Sequence, residues 1–131
     1  MNTNSVSKLF LILEIKDKFK IKCQLKRHFD PTLVGRINRS LPLSGNSHML
    51  EKNAIYFGTS IEAGSQRIKK EFKKGDIAFL SVGKAICFFH TDYKTNKNMS
   101  IIGKMIGEFE LLKNVESGDE IKFYSDTDWY T

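Results

Sequence analysis

The chain is poor in the residues that announce a specialised class: two cysteines, two prolines and one tryptophan. Cysteines as far apart as Cys23 and Cys87 make no disulfide framework, so the expected compartment is a reducing cytoplasm. No apolar run approaches the ~20 residues that span a bilayer. The most apolar window, KLFLILEI (8–15), breaks at Glu14, and no small-residue cleavage site follows it, which argues against a secretory signal. Neither a G-x-x-x-x-G-K-[ST] loop nor a G-x-G-x-x-G turn occurs, which excludes the common nucleotide-cradling signatures. His28, His48 and His90, taken with Cys23 and Cys87, show no CxxC, HxxxH or HxH spacing. No metal and no cofactor are expected.

What is present describes an ordinary folded domain. With 131 residues, 40% hydrophobic and 27% charged, the chain is long enough for one core. Its net charge of +6 is uneven. Residues 1–74 hold 15 Lys+Arg against 6 Asp+Glu, and residues 75–131 hold 6 against 9. Such asymmetry suits either a nucleic-acid-binding half or strands whose wet faces carry lysine.

Period-two patterning dominates. Leu9, Leu11, Leu13 and Ile15 share one strand face, with Phe10 and Ile12 on the other. After a Lys16-Asp17-Lys18 turn, Phe19, Ile21, Cys23 and Leu25 point inward and lysines outward, completing a hairpin. DPTLVGRINRSLP (30–42) reads as a helix capped by Asp30, opened by Pro31 and stopped by Pro42. Leu33, Ile37 and Leu41 line one side, and Arg36 and Arg39 project from another. Residues 41–53 read as loop, 53–59 as a strand, 76–80 and 84–90 as strands, 92–98 as a polar loop, 99–107 as a strand, 108–115 as a helical turn and 120–125 as a last strand. KKGDIAF and ESGDEIKF both place Gly-Asp before a strand, which is shared turn chemistry. The expected organisation is a polar N-terminal tail (1–7), one domain (8–125) and a solvated C-terminal tail (126–131) with Asp126 and Asp128.

LPLSGN (41–46), NAIYF (53–57), KKGDIAFLSVGKAICFF (73–89), IIGK (101–104) and LLKNVESGDEIKF (111–123) form an ordered series. Together they resemble the small cyclophilin-like proteins of bacteria and archaea, over residues 8 to about 124. The resemblance implies a mostly β fold, a closed or partly open antiparallel cyclophilin-type barrel with one main helix. Two family features are missing: the Trp-Gly before the Glu-Ile-Tyr-Phe strand, and the Trp-Pro-Pro-Gly replaced here by Leu80-Ser81-Val82-Gly83.

Chemistry is sparse. Cys87 and His90 stand three apart, which on a strand sends them to opposite faces and disqualifies a nucleophile–base dyad. True cyclophilins set a guanidinium against the proline amide beside an aromatic pocket, and their Phe-Met-Gln-Gly-Gly-Asp stretch is absent. Arg36, Arg39 and Arg67 are the available guanidinia. Lys84, Ile86, Phe88 and His90 share one strand face, opposite Ala85, Cys87 and Phe89. The small-residue face suits the barrel interior, leaving Phe88 and His90, with Tyr56 and Phe79, to floor an outer cleft. The expected ligand-binding set is Arg36, Tyr56, Phe79, Phe88 and His90. The function read from this is a non-enzymatic module binding a small ligand or an extended, proline-containing peptide. A weak peptidyl-prolyl isomerase is the first alternative, and a nucleic-acid-associated basic protein the second.

Overall fold

The computed structural model describes residues 7–63 and 68–127. The expected N-terminal tail up to residue 6, Arg67, Asp128, Trp129 and Tyr130 lie outside the described residues. In chain order the elements are β1 (Lys8–Ile15), β2 (Phe19–Lys26), α1 (Pro31–Ser40), β3 (Leu43–Asn46), β4 (His48–Leu50), β5 (Ala54–Gly58), β6 (Ile68–Phe72), β7 (Asp76–Leu80), β8 (Ala85–Phe89), β9 (Tyr93–Met105), a 3₁₀ turn (Phe109–Asn114) and β10 (Glu120–Ser125).

Local chemistry accounts for the clearest of these. Asp30 caps α1 through its carboxylate, which accepts from the Leu33 N–H at 3.3 Å, and Pro31 occupies the first turn, where its missing donor costs nothing. Leu33, Val34 and Ile37 face the core. The two Gly-Asp turns are the same device: Gly75 and Gly118 sit at φ +94° and +96°, a region that costs glycine little. Each following aspartate folds back onto the backbone N–H three residues earlier, Asp76 onto Lys73 at 2.8 Å and Asp119 onto Glu116 at 2.9 Å. Each also takes a lysine, Lys104 at 3.2 Å and Lys18 at 2.7 Å. In the β7–β8 turn it is Lys84 (φ +50°) that adopts the left-handed conformation, and Gly83 does not.

All the strand pairs are antiparallel, in the order β3-β10-β1-β2-β9-β7-β8-β5-β4, with β6 added to β9. The ladder does not close by hydrogen bonding, which makes the barrel the partly open form. Its two ends, β3 and β4, are nevertheless consecutive and separated only by Ser47. One bent segment thus pairs with β10 in its first half and β5 in its second. Ser47 marks the change of partner: its N–H bonds the Asp119 carbonyl (2.8 Å), its carbonyl takes the Gly118 N–H (2.9 Å), and its hydroxyl bonds the Glu116 carbonyl (2.7 Å). Beside the seam, Gly45 packs so close to Phe57 that an added Cβ would lie 3.1 Å from the ring.

Two hydrophobic layers result. The interior holds Leu11, Leu13, Ile21, Leu25, Ile55, Phe57, Ile77, Phe79, Ile86, Phe88, Ile121 and Phe123, with α1 closing one end. The outer layer holds Leu50, Ala54, Phe72, Ala78, Cys87, Phe89, Tyr93, Met99 and Ile101. It is covered by a ribbon in which β6 pairs with the early part of β9, Phe72 opposite Tyr93.

Several expectations need correction. The presumed loop 41–53 contains β3 and β4, and the presumed polar loop 92–98 lies mostly within β9, whose strand starts at Tyr93. The faces of β8 are reversed: Phe88 points into the barrel and Cys87 points outward. The interior needs the large rings, where Phe88 meets Phe123 edge-on at 5.4 Å and stacks parallel to Phe57 at 6.3 Å. The small residues Ala54, Ala78 and Cys87 instead leave room outside, where Phe72, Phe89 and Tyr93 stack at 5.0 and 5.5 Å. Asp126 is not a solvated tail residue. It is 6% exposed, its N–H bonds the Phe10 carbonyl (2.9 Å) and its carboxylate lies 3.6 Å from Lys22.

Candidate functional site

Arg36 is the expected site residue that reaches a cleft. The cleft, of about 250 Å³, lies between the last turns of α1 and the segment after β5, and is lined by Arg36, Arg39, Ser40, Ser60, Ile61 and Glu62. Its walls are tied down. Thr59 bonds the Lys84 carbonyl through both its N–H (2.8 Å) and its hydroxyl (2.6 Å), and that hydroxyl accepts from the Ile61 N–H. Glu62 therefore stands where its carboxylate meets the Lys84 ammonium at 2.9 Å, and that contact holds its pKa below the usual carboxylate value. Arg36 donates to the Glu62 carbonyl oxygen, which fixes the guanidinium at the cleft wall. Ser40 donates back to the Arg36 carbonyl at 2.8 Å.

Arg39 differs. Among the described residues it makes no hydrogen bond or ion pair, and it stands one turn beyond Arg36, where side chains three apart are neighbours. Arg36, Arg39 and Lys84 face a single carboxylate, so the cleft keeps a surplus of positive charge. The helix C-terminus opposes this by a few tenths to about 1 kcal/mol for an anion. A fork-shaped guanidinium contact to a carboxylate or phosphate exceeds that opposition. The chemistry on offer is recognition of a small anion, with the Ser60 hydroxyl as a further donor, since the Ser40 proton is already spent on the Arg36 carbonyl.

The other expected site residues do not assemble around it. Phe79 and Phe88 are 1% and 0% exposed and belong to the interior, so neither floors a cleft. Tyr56 is half-buried on the outer layer and stacks on His48 at 5.3 Å. His90 follows β8 at the end opposite Lys84, with its N–H on the Asn53 carbonyl (3.0 Å). Burial, helped by the charge of Lys113, lowers its pKa below the ordinary imidazole value. Six residue steps along a strand separate His90 from Lys84, roughly 20 Å, so His90 and the Arg36 cleft sit at opposite ends of the barrel. Cys87 is fully enclosed, and burial pushes its thiol up to about 12. Cys23 is raised likewise by burial, and both cysteines are free. Among the described residues no group of three His, Cys, Asp or Glu side chains is placed to hold a metal ion. Among the described residues no aromatic side chain lines the Arg36 cleft.

Sequence reasoning missed Ser60 and Glu62, which sit in an unpatterned connection and acquire meaning only when Lys84 folds against them.

Comparison with known proteins bears on the fold. A family model described as cyclophilin-like matches residues 9–124. No curated protein matches the chain. Among solved structures, the solution structure of a hypothetical protein from Archaeoglobus fulgidus is similar, with a TM-score of 0.76 and 22% identity over 91% of this chain and 95% of that one.

Proposed function

The chain belongs to the cyclophilin-like family, and from that premise we propose that it is a non-enzymatic binding module for a small ligand or the end of an extended peptide. Its ligand enters the Arg36 cleft by an anionic group. The observation that carries this reading is Arg39, a guanidinium without a protein partner among the described residues, beside an Arg36 already anchored to the cleft wall. A small carboxylate fits about 250 Å³, and the pinned walls reduce the ordering cost of binding. Isomerase activity is the less favoured reading, since its chemistry asks for an apolar aromatic wall beside the guanidinium. No helix among the described residues is long and apolar enough to cross a membrane. The two free, buried thiols support placing the module in a reducing cytoplasm.

Thermal-shift and calorimetric titration with acetate, citrate, inorganic phosphate and a short proline-containing peptide test the proposal. A ligand at 100 times its Kd adds about 2.7 kcal/mol, which raises Tm by about 10 °C for a chain of this length. Arg39→Ala is expected to weaken binding at least tenfold, the value of one charge-assisted bond, with Tm unchanged in the free protein. No shift with any of these probes, or equal binding by Arg39→Ala, overturns the reading.

A further inference from the structure

The charge asymmetry of the sequence is largely cancelled in the fold. Four of the six lysines of the first hairpin find a carboxylate: Lys16 with Glu120 (3.9 Å), Lys18 with Asp119 (2.7 Å), Lys20 with Glu14 (3.9 Å) and Lys22 with Asp126 (3.6 Å). Three of those four acids come from the acidic second half, so the halves neutralise one another on this face.

The β6–β9 ribbon escapes this. Residues 68–74 and 92–98 carry six lysines (69, 70, 73, 74, 94 and 97) against Glu71 and Asp92. Among the described residues, one ion pair forms there, Lys94 with Glu71 at 3.5 Å. Asp92 is engaged by the backbone N–H of Lys74 at 2.9 Å. An open groove of about 700 Å³ runs along the ribbon, with Lys70, Lys94, Lys97, Thr95 and Asn96 in its lining. Lysine on an edge strand also discourages edge-to-edge pairing, and Lys69 and Lys70 of β6 serve that purpose. Lys73, Lys74, Lys94 and Lys97 lie off that edge strand, so edge protection does not account for them.

We propose that this ribbon is a docking surface for the phosphate backbone of duplex DNA, bound without sequence preference. Charge complementarity selects a polyanion, and the ribbon's geometry selects the duplex. Single strands are held by stacking bases on exposed rings. Among the described residues the groove's one ring, Tyr93, is 8% exposed, stacked on Phe89 and bonded through its hydroxyl to Glu51 at 2.5 Å. Five residues of strand extend ~17 Å, a length over which a duplex presents about ten phosphates. One face of the ribbon is seated on the outer layer, so it lies along the backbone and does not enter a groove.

The test is fluorescence anisotropy with a labelled duplex of about 20 base pairs across a salt series. Contact with about four phosphates gives a slope of log K on log salt near −3.6, or about a 150-fold loss between 50 and 200 mM. The charge-reversed double variant Lys70→Glu/Lys97→Glu is expected to bind at least tenfold more weakly with a shallower slope. Lys16→Glu/Lys20→Glu, which changes net charge equally on the neutralised face, is expected to stay within threefold of the parent. Glu71→Gln, which releases Lys94, is expected to tighten binding. Absence of binding at 50 mM salt, equal weakening in both double variants, or binding to phosphatidylserine vesicles in place of the duplex overturns the proposal.

Discussion

Phe88→Ala separates a barrel-core ring from a ring that serves a ligand. Phe88 is 0% exposed and touches two of the three other large interior rings, Phe57 and Phe123, at centroid distances of 6.3 and 5.4 Å. Truncating such a residue removes its transfer energy and leaves a cavity that the surrounding β5, β7 and β10 strands cannot collapse to fill. The expected loss is about 3–5 kcal/mol, a large share of the roughly 5–15 kcal/mol that holds a domain folded. With an unfolding entropy of ~2.1 cal/mol/K per residue, that is a fall in Tm of about 11–18 °C for this length. Differential scanning calorimetry reads it directly, and a urea titration gives the same loss through the midpoint at unchanged slope. Val82→Ala is the control: that side chain is 86% exposed in the β7–β8 turn and should alter stability by less than about 0.5 kcal/mol. A fall of under about 4 °C for Phe88→Ala, or similar effects from the two variants, would refute the assignment of Phe88 to the core.

Gly103→Ala should destabilise by about 3 kcal/mol or more and reduce soluble yield, because the new Cβ would lie 2.2 Å from the Gln24 carbonyl oxygen and 2.9 Å from the Leu25 Cα, backbone that has no room to yield. Ser47→Ala removes the bond to the Glu116 carbonyl and should cost about 1 kcal/mol by urea denaturation; no change would mean the change of strand partner does not depend on that hydroxyl. Cys87, with its thiol pushed up to about 12 by burial, should resist Ellman's reagent at pH 8 until guanidinium is added, and rapid labelling of the native chain would contradict its enclosure. In the unfolded chain that thiol ionises near its ordinary value of 9.0. The unfolded state therefore loses the proton first, and the contribution of Cys87 to stability is complete below pH 9 and declines as pH rises towards 12. A Tm that rises between those pH values, measured against Cys87→Ala, would reverse the sign of this argument.

The elements legible in the sequence are those whose inward positions are apolar. β1, β2, β7, β8 and β10 alternate in this way, and α1 carries its own cap and stop. The segment 43–50 was opaque because its covered positions are Leu43, Gly45, Ser47 and Leu50: two of them are too small or polar to mark a period, and the last breaks the alternation. The ribbon was opaque because water wets most of it: in β6 only Phe72 is buried, and its order comes from the ladder with β9. Alternation on β8 showed two faces but not which was inner, since both are apolar. That choice rests on the volumes of Phe57 and Phe123 across the barrel. Of the cleft, Arg36 was visible as a helix-face cation. Its partners were not, because nothing local predicts that Glu62 meets Lys84.

The bent segment from β3 to β4 has a consequence for synthesis. During translation β4 meets its partner β5 almost at once, whereas β3 waits some seventy residues for β10. β1 likewise keeps one edge unpaired until β10 has been made. A ribosome-bound intermediate therefore exposes two hungry strand edges around an unsealed aromatic interior, the condition under which nascent β proteins stick to one another. The seam at Ser47 and the β1 edge are the last stitches, and chaperone demand should end when residues 116–125 leave the exit tunnel.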